Sequence, residues 1–444
     1  MGNIVRTHKT YHLKDPERFK KQLIKWGENQ NPCVFLDSSF TNNSSSTSYL
    51  KKEYDCIMAV GSESEVFSDG KDSFSLLKDF HSKNKDWLFG LFSYDLKNEN
   101  EKLYSSNVDN ICFPELHFFR PKKILFIKDN ILETAYLSAK MDNQADVDFL
   151  YINNISLEKH KEKLKIDINL IRSRYTRNEY IATIKKIKQH IQFGDIYELN
   201  LCQEFYLEKI ELLPIHTYLV LNKVSPTPFS SFYRLNETYL MCASPERFLK
   251  KTDRKIYSQP IKGTAARLMN KIDDDIQKDT LRNDPKEIKE NIMIVDLVRN
   301  DLSKTAEKAS VKVEELCGIY SFPQVHQMIS TICSTLKKDV AFTDAIKFAF
   351  PMGSMTGAPK IRAMELIEKY ERTRRGLYSG AVGYISPEED FDFNVIIRSI
   401  LYNSEKKYLS YIVGGAITSD SVPEKEYEEC MIKAKAMMDT IERL

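Results

Sequence analysis

The segment Pro260-Ile261-Lys262-Gly263-Thr264 places a lysine in a short, tight loop between apolar Ile261 and flexible Gly263. Desolvation disfavours the charged form of a lysine, so burial at this point would lower the pKa of Lys262 and leave a nucleophilic amine. A lysine beside a glycine is more often simply solvated, and the segment alone indicates little. A functional role for Lys262 becomes persuasive because unusual segments precede and follow it in the sequence.

These segments occur in a fixed order along the chain. Ser244-Pro245-Glu246-Arg247-Phe248 comes before Lys262, and the segments after it are the acidic stretch from Glu287 to Asp301, Gly353-Ser354-Met355-Thr356-Gly357-Ala358-Pro359-Lys360, Arg398, Gly414-Gly415, and Glu429 to Lys433. This ordered set resembles the chorismate-utilising enzymes, a family that includes anthranilate, aminodeoxychorismate, isochorismate and salicylate synthases. The resemblance is close over residues 172–444, the predicted chorismate-binding catalytic region, and loose over residues 1–165.

The composition is that of an ordinary globular protein. The 444 residues are 42% hydrophobic and 29% charged with a net charge of +2, which gives no electrostatic case for binding nucleic acid or an acidic membrane. Eight cysteines without a CxxC pair argue against a zinc site or a disulfide framework and favour a reducing, cytoplasmic setting. The first residues lack the apolar core of a signal peptide, and no apolar run reaches membrane-spanning length.

The first 165 residues have the pattern of strands joined by turns. Cys33–Ser39, Trp87–Tyr94 and Lys122–Ile127 are predicted strands, residues 42–47 a surface loop, and the lysine-rich stretch Leu157–Lys165 the domain boundary. Phe35-Leu36-Asp37-Ser38-Ser39 partly resembles the tryptophan-sensing segment of anthranilate synthases. Ser38 and Ser39 either bind an amino acid or cap a turn, and we expect the structural role.

Beyond Arg177 the pattern changes to a mixture of helices and strands. Apolar residues at helical spacing predict a helix from Tyr180 to Phe193 that ends at Gly194. Strands are predicted at Tyr239–Cys242, Leu377–Ile385, Phe393–Arg398 and Tyr408–Val413. This irregular alternation favours an α+β fold over repeated βαβ units. The resemblance implies two antiparallel β-sheets packed face to face as a β-sandwich, with helices on the outside and the active site in a deep cleft.

Two predicted helix starts carry pairs of glutamates. Asp284-Pro285-Lys286-Glu287 has the residues of an N-cap, an N1 proline and a capping box, and Ser421-Val422-Pro423-Glu424 predicts a second helix with a similar cap. From the residues alone, solvated helix faces are the commoner interpretation. The resemblance implies a Mg²⁺ site that bridges to the ring carboxylate of chorismate. Its main ligands would be Glu290 and Glu429, with Glu287 and Glu426 more distant or acting through water.

Chorismate is a small dicarboxylate, so its site needs cations and backbone N–H donors. Arg398 can grip a carboxylate with two hydrogen bonds, and Gly414 and Gly415 permit the close backbone approach of a carboxylate-binding turn. The resemblance implies that Arg398, Tyr378 and Gly414 hold the enolpyruvyl carboxylate and that Lys433 holds the ring carboxylate. Ser354 and Thr264 complete this set of substrate-binding candidates. The segment Gly353–Lys360 does not match a phosphate-binding loop, which disfavours nucleotide binding.

Three positions distinguish the branches of the family. Isochorismate and salicylate synthases use a lysine as a base at the place that we match to Gln203, and glutamine cannot act as a base, which favours ammonia as the nucleophile. Anthranilate synthases carry alanine where Lys262 stands and histidine, linked to pyruvate elimination, where Gln327 stands. The segment Phe391-Asp392-Phe393-Asn394 also favours the aminodeoxychorismate branch over the anthranilate branch. The sequence is therefore similar to the aminodeoxychorismate branch.

That branch implies covalent amination of chorismate. Lys262 would attack C2 while Glu246 protonates the departing 4-hydroxyl, and ammonia would then attack C4 and expel Lys262. This chemistry requires a raised pKa at Glu246. If Glu246 instead pairs with the adjacent Arg247, its pKa falls and its role is structural.

The source of ammonia lies outside the chain's own motifs. No glutaminase elbow is present, since Cys202 lacks flanking glycines, so a class I glutamine amidotransferase subunit is the expected partner in a heterodimer. A separate lyase would make p-aminobenzoate for folate. The rival functions are anthranilate formation by the same fold and a catalytically silent subunit of an amidotransferase complex. A nucleotide-binding switch is a more distant alternative, which ATP protection against unfolding would reveal.

Overall fold

The computed structural model describes residues 6–38, 53–68, 70–137, 143–157 and 166–444. Over these ranges it has twenty β-strands and eleven α-helices. The strands are β1 Arg6–His12, β2 Cys33–Asp37, β3 Cys56–Ser68, β4 Leu88–Phe92, β5 Leu116–Lys128, β6 Ile131–Leu137, β7 Arg172–Ser173, β8 Glu198–Glu208, β9 Phe229–Leu235, β10 Thr238–Ser244, β11 Arg247–Thr252, β12 Lys255–Gln259, β13 Ile261–Ala266, β14 Lys312–Ser321, β15 Val325–Thr335, β16 Gly357–Ala358, β17 Ala381–Ile385, β18 Phe391–Val395, β19 Ser399–Asn403 and β20 Tyr408–Ile417. The helices are α1 Pro16–Trp26, α2 Ser73–Asn84, α3 Lys97–Glu101, α4 Gln144–Asn153, α5 Arg177–Gln192, α6 Pro214–Val224, α7 Lys271–Asn283, α8 Pro285–Ser303, α9 Phe342–Ala349, α10 Lys360–Tyr370 and α11 Pro423–Glu442.

The strands pair antiparallel and join into one hydrogen-bonded network across the described ranges. The mixed α and β architecture with antiparallel pairing agrees with the predicted class. Two separate sheets packed face to face are not confirmed, because the ladders link all of these strands continuously. None of the helices in the described ranges is long and apolar enough to cross a membrane.

Strand pairing crosses the predicted domain boundary twice. In one ladder β2 pairs with β9, and in the other β4 pairs with β17. Strands from the first 165 residues therefore complete the sheet of the later region. The division into 1–165 and 172–444 stays a prediction, and residues 158–165 lie outside the described ranges.

The core consists of three clusters of buried apolar side chains. Two of them place helices against strands, the first around α5, α10 and α11 and the second around α8 and α9. The third takes its side chains only from strands and the loops between them, with β3, β5, β9, β10 and β17 among its sources. Burial on both faces explains why strands such as β4 are apolar without alternation.

Several sequence predictions hold in the structure. The strands at Cys33–Asp37, Leu88–Phe92 and within β5 are present. Helix α5 ends at Gln192, and Gly194 follows with a φ of 82° that suits glycine. Ser38 donates its backbone N–H to Asp55, whereas Ser39 and the predicted loop at 42–47 lie outside the described ranges.

Other predictions are wrong in detail. The first 165 residues contain helices α1 to α4, not strands alone. Residues 377–380 precede β17 and do not belong to it, and β18 ends at Val395, three residues before Arg398. The segment around Lys262 is strand β13 and not a loop, with an irregularity in its pairing between Ile261 and Thr264.

Candidate active site

A cavity of about 730 Å³ brings the predicted site residues together. This volume suits a ligand the size of a metabolite. Its lining includes Glu246, Lys262, Thr264, Glu287, Glu290, Gln327, Ser354, Tyr378, Arg398, Gly414, Gly415, Glu429 and Lys433. Those residues come from distant parts of the sequence, so their convergence is a structural finding that supports the ordered motifs.

Gln203 does not line this cavity, which corrects the prediction for that position. Its side chain is buried, and Nε2 donates to Cys430 Sγ at 3.3 Å. Successive side chains of a strand point to opposite faces, and Gln203 on β8 lies an odd number of residues from Glu198 and Asn200. Asn200 lines the cavity and donates Nδ2 to the Ser354 carbonyl. The face of β8 turned toward the site is therefore that of Glu198 and Asn200.

Lys262 is paired with a carboxylate that the sequence analysis missed. Its Nζ lies 2.9 Å from Oε1 of Glu198, and both side chains are almost entirely buried. Burial pulls the pKa of Lys262 down, but Glu198, Glu290 and Glu246 raise it by more, so the pKa lies above its ordinary value. The prediction of a lowered pKa is wrong. The alternation of β8 was the signal available, since it would have placed Glu198 beside Asn200.

Glu246 has the properties of a buried acid. It is 4% exposed, and burial raises its pKa to about 7 against the opposing effects of the Ser354 hydrogen bond and Lys262. Ser354 donates Oγ to Glu246 Oε1 at 2.6 Å. Arg247 donates to Asp392 at 2.9 Å and to Gln259 at 2.7 Å. A direct pair with Arg247 would lower the pKa of Glu246, whereas the pKa is raised.

Helix α8 directs two glutamates into the cavity. Asp284 caps the helix by accepting the backbone N–H groups of Lys286 and Glu287, as predicted, with Pro285 in the first turn. Burial raises the pKa of Glu290 to about 7 and also raises the pKa of Glu287.

Helix α11 lacks the predicted side-chain cap, because Val422 occupies the N-cap and Ser421 Oγ accepts a hydrogen bond from the backbone N–H of Thr418.

Helix α11 contributes the other carboxylates. Lys433 pairs with Glu429 at 2.7 Å and lowers its pKa, against the opposing effect of burial. Glu426 is 4% exposed and lies 3.4 Å from Lys286, although it is not among the residues that line the cavity. Lys286 therefore lies between the glutamates of the two helices, since it is also 3.8 Å from Glu290.

Hard oxygen donors are present for a divalent cation at this place. A methyl group built on Gly415 would lie 3.6 Å from Glu426 Oε2 and 3.7 Å from Glu429 Oε1, so both carboxylates reach the same backbone position. Glu290 Oε1 is buried without a hydrogen-bond partner in the described structure. Across the described ranges no three His, Cys, Asp or Glu side chains meet as a metal-holding group. The donor chemistry fits Mg²⁺, and the site stays a prediction.

Arg398 is a further cation in the lining of the cavity. Its φ is 53°, a left-handed conformation that is uncommon for arginine and costs energy. Burial lowers its pKa, against the opposing effects of Tyr378 and Glu429. No ion pair to Arg398 occurs within the described residues. A half-buried guanidinium that lines a cavity and lacks an ion-pair partner in the described ranges is suited to binding an anionic ligand.

The remaining predicted residues take the following places. Gly414 and Gly415 lie within strand β20 and not in a turn, and the Gly414 carbonyl accepts from Lys433 Nζ at 3.0 Å. Gln327 faces Thr264 in the pairing of β13 with β15, and its buried Oε1 has no hydrogen-bond partner in the described structure. Tyr378 is buried beside Cys202, whose Sγ lies 3.8 Å from the phenol oxygen.

Lys360 has a structural role within its segment. It pairs with Asp301 at 2.9 Å and donates to the Ala349 carbonyl, which joins α10 to α8. This contact gives the lysine at the end of the segment Gly353–Lys360 a structural role.

The sequence of this chain is similar to those of several known enzymes. Aminodeoxychorismate synthase component 1 of Escherichia coli is 34% identical over 357 residues, 80% of this chain and 76% of that protein. Anthranilate synthase component 1 of Aquifex aeolicus is 31% identical over 410 residues, 85% and 82% of the two chains. A probable aminodeoxychorismate synthase of Oryza sativa is 40% identical over 272 residues, 60% of this chain but only 30% of that longer protein.

The fold is also that of a solved structure. Anthranilate synthase component I from Streptococcus pneumoniae superposes with a TM-score of 0.74 at 23% identity, covering 90% of this chain and 95% of that one. Residues 31–439 match the family described as chorismate binding enzyme. With the cavity, its buried acid and its cations in place, the chain belongs to the family of chorismate binding enzymes.

Proposed function

We propose that this chain converts chorismate and ammonia into 4-amino-4-deoxychorismate and water. The observation that carries the proposal is the presence of Lys262 and a protonatable Glu246 on one cavity, where each affects the pKa of the other. A nucleophilic amine beside a buried acid suits displacement of a ring hydroxyl. Similarity to aminodeoxychorismate synthase component 1 supports the same reaction.

The proposed reaction has two displacements. The neutral Nζ of Lys262 forms a bond to C2, the ring double bonds shift, and the C4–O bond breaks as Glu246 gives its proton to the departing hydroxyl. Ammonia then forms a bond to C4, the double bonds shift back, and the C2–N bond to Lys262 breaks. The proton that ammonia loses returns to Glu246, and the enolpyruvyl group is retained throughout.

The anionic substrate requires cationic partners. Arg398 and Tyr378 would hold the enolpyruvyl carboxylate, and Lys433 would hold the ring carboxylate. Bound Mg²⁺ would neutralise the ring carboxylate, with Glu290 and Glu429 as its nearest protein ligands and Glu287 and Glu426 behind them. Ammonia would come from a class I glutamine amidotransferase subunit, as a partner in a heterodimer that serves p-aminobenzoate and folate synthesis in the cytoplasm.

We also infer that the strand network folds over itself as two face-to-face layers. The core cluster built from strands and loops without any helical residue supports this arrangement, because such side chains fill the space between two sheet surfaces.

The rival assignment is anthranilate formation. Similarity to anthranilate synthase component 1 supports the shared substrate but does not favour that product over amination. Gln327 argues against it, since a glutamine cannot take the proton that pyruvate elimination releases. A silent subunit is disfavoured because the buried acid, the lysine and the glutamates are all present on one cavity.

A product assay tests these alternatives. Purified protein receives chorismate, Mg²⁺ and a high concentration of ammonium at alkaline pH, and mass spectrometry identifies the products. Aminated chorismate that keeps its enolpyruvyl group, and that yields p-aminobenzoate only after a lyase is added, is the expected result. Anthranilate with pyruvate would overturn the proposal. Chorismate binding without any turnover, even with the glutaminase partner added, would establish a non-catalytic subunit.

A further inference from the structure

Glu198 is a buried carboxylate whose only hydrogen-bonded side chain in the described structure is the reactive lysine. Oε1 of Glu198 lies 2.9 Å from Lys262 Nζ, while Oε2 is buried without a hydrogen-bond partner. Glu198 is 1% exposed. A buried ion pair loses much of its attraction to desolvation, so it contributes little to stability and its presence calls for another reason.

The backbone around Glu198 is held tightly against a neighbouring segment. Strand β16 pairs with β8 at Glu198 and Leu199. Gly357 of β16 has a φ of 150°, and a methyl group built on it would lie 2.2 Å from the Glu198 carbonyl oxygen, so only glycine fits. This close contact fixes the position from which the Glu198 carboxylate meets Lys262.

We propose that Glu198 is the positioning residue of Lys262, which holds Nζ toward the cavity and takes its proton before attack. The proposal rests on the amination reaction described above. In each turnover one proton moves from Nζ to Oε1, the neutral amine bonds to C2, and the same proton returns to Nζ when the C2–N bond breaks. Glu198 thus lends no net proton, and the balance of the overall reaction is unchanged.

Several other charges face Lys262 and must be considered in any test. They come from the loop between β10 and β11, from α8 and from α11, and they are Glu246, Glu287, Glu290 and Glu429. None of them lies within ion-pair distance of Nζ in the described structure, whereas Glu198 does. The geometry therefore singles out Glu198 as the direct acceptor.

The test compares Glu198→Gln with the native protein across pH. Glutamine keeps the size and a hydrogen-bond acceptor but takes no proton, so we expect kcat to fall about 100-fold near pH 6.5 with KM for chorismate little changed. At higher pH Lys262 loses its proton to solvent, so the ratio of variant to native kcat should rise toward one. Ammonia supply affects both proteins alike and cancels in this ratio.

Two further variants separate this role from a structural one. Glu198→Asp should recover part of the activity, because a carboxylate is restored. Glu204→Gln on the same strand removes a buried carboxylate that binds Arg174, Tyr408 and Ser410 outside the cavity, and it should lower stability without changing the pH profile. Two results would overturn the proposal. One is a ratio of Glu198→Gln kcat to native kcat that is reduced but does not change with pH, and the other is a Glu198→Gln kcat equal to that of the native protein.

A second readout does not need turnover. An amine-acylating reagent is applied at pH 8 without chorismate, and peptide mass spectrometry measures modification of Lys262. In the free protein solvent can take the proton of Lys262, so the pKa of the lysine sets the rate, and we expect faster modification in Glu198→Gln because loss of the carboxylate lowers that pKa. With chorismate bound, Glu198 is the proton acceptor, and for this reason kcat falls in the same variant. Equal rates would overturn the pairing. If modification is faster in the variant as expected, but the native protein forms no aminated chorismate in the product assay, the pairing of Glu198 with Lys262 stands and the amination reaction is refuted.

Discussion

Glu246 and Ser354 show how a single hydrogen bond tunes a buried acid. Burial raises the pKa of Glu246 to about 7, and the Ser354 hydroxyl acts against that shift by stabilising the carboxylate. The acid form needed to protonate a departing hydroxyl is therefore abundant below pH 7 and is lost as the pH rises through the pKa.

The first prediction concerns this pH dependence. In Ser354→Ala the stabilising hydrogen bond is lost, so the pKa of Glu246 should rise and the alkaline decline of kcat should move to higher pH. The measurement is kcat against pH at a constant concentration of free ammonia, with Ser354→Thr as the control that keeps the hydroxyl. A decline at unchanged or lower pH would contradict the role assigned to Glu246.

Arg398 combines a cationic side chain with a strained backbone. Replacing it removes a charged hydrogen-bonding partner of the substrate, so KM for chorismate should rise by about 10- to 100-fold in both Arg398→Ala and Arg398→Gly. Glycine tolerates the φ of 53°, so thermal unfolding should show Arg398→Gly to be more stable than Arg398→Ala by about 1 kcal/mol. An unchanged KM would exclude Arg398 from the substrate site.

The sequence predicted which residues line the cavity more readily than it predicted their protonation states. The motif order singled out Lys262, Glu246 and Arg398, and all three line one cavity. The direction of the Lys262 pKa could not be predicted, because its partner Glu198 lies 64 positions earlier in the chain and on a different strand. The choice of Gln203 was mistaken for a similar reason. Adjacent side chains on a strand point to opposite faces, and Gln203 lies on the face of β8 that is turned away from the cavity.

At the scale of elements, helices α8 and α11 together form the acidic part of the cavity. Their glutamates face each other across Lys286, and the pKa of Lys286 is raised by Glu426, Glu290, Glu429 and Glu287 against the opposing effect of burial. A cation at this position offsets the mutual repulsion of the carboxylates and would also repel an arriving divalent ion.

Removing that cation should strengthen metal binding. Lys286→Met is expected to lower the dissociation constant for Mg²⁺ several-fold at low ionic strength, because a competing positive charge is lost. Isothermal titration calorimetry in the absence of chorismate measures this directly. Lys289→Met, on an exposed position of the same helix, is the matched control. Equal or weaker Mg²⁺ binding in Lys286→Met would contradict a metal site between these helices.

The start of a helix could be predicted where adjacent residues determine the cap. The prediction failed where tertiary packing determines it. The Asp284 cap depends only on adjacent residues and is present. Ser421 had the same signature, but its hydroxyl binds Thr418 in a buried turn, which no local rule shows. The strand around Lys262 was mistaken for a loop for a related reason, since its pairing with β15 comes from far along the chain.

At the scale of the whole molecule, the early strands and the catalytic region form one sheet. A fragment of residues 172–444 would leave β9 without β2 and β17 without β4, which exposes apolar edges that favour association. We expect this fragment to aggregate or to lack a cooperative thermal transition. Size-exclusion chromatography and circular dichroism provide the check, and a monomeric fragment that unfolds cooperatively would show that the two regions are independent domains.

The pairing of Phe92 with Ala381 also has a consequence for how the chain is made. During synthesis the ribosome completes β4 long before it reaches β17, so one edge of the nascent sheet waits for most of translation without its final neighbour. A growing chain with an open apolar edge is a substrate for chaperones. The yield of active protein in a cell should therefore depend on elongation rate and chaperone supply, even when the stability of the finished molecule is unchanged.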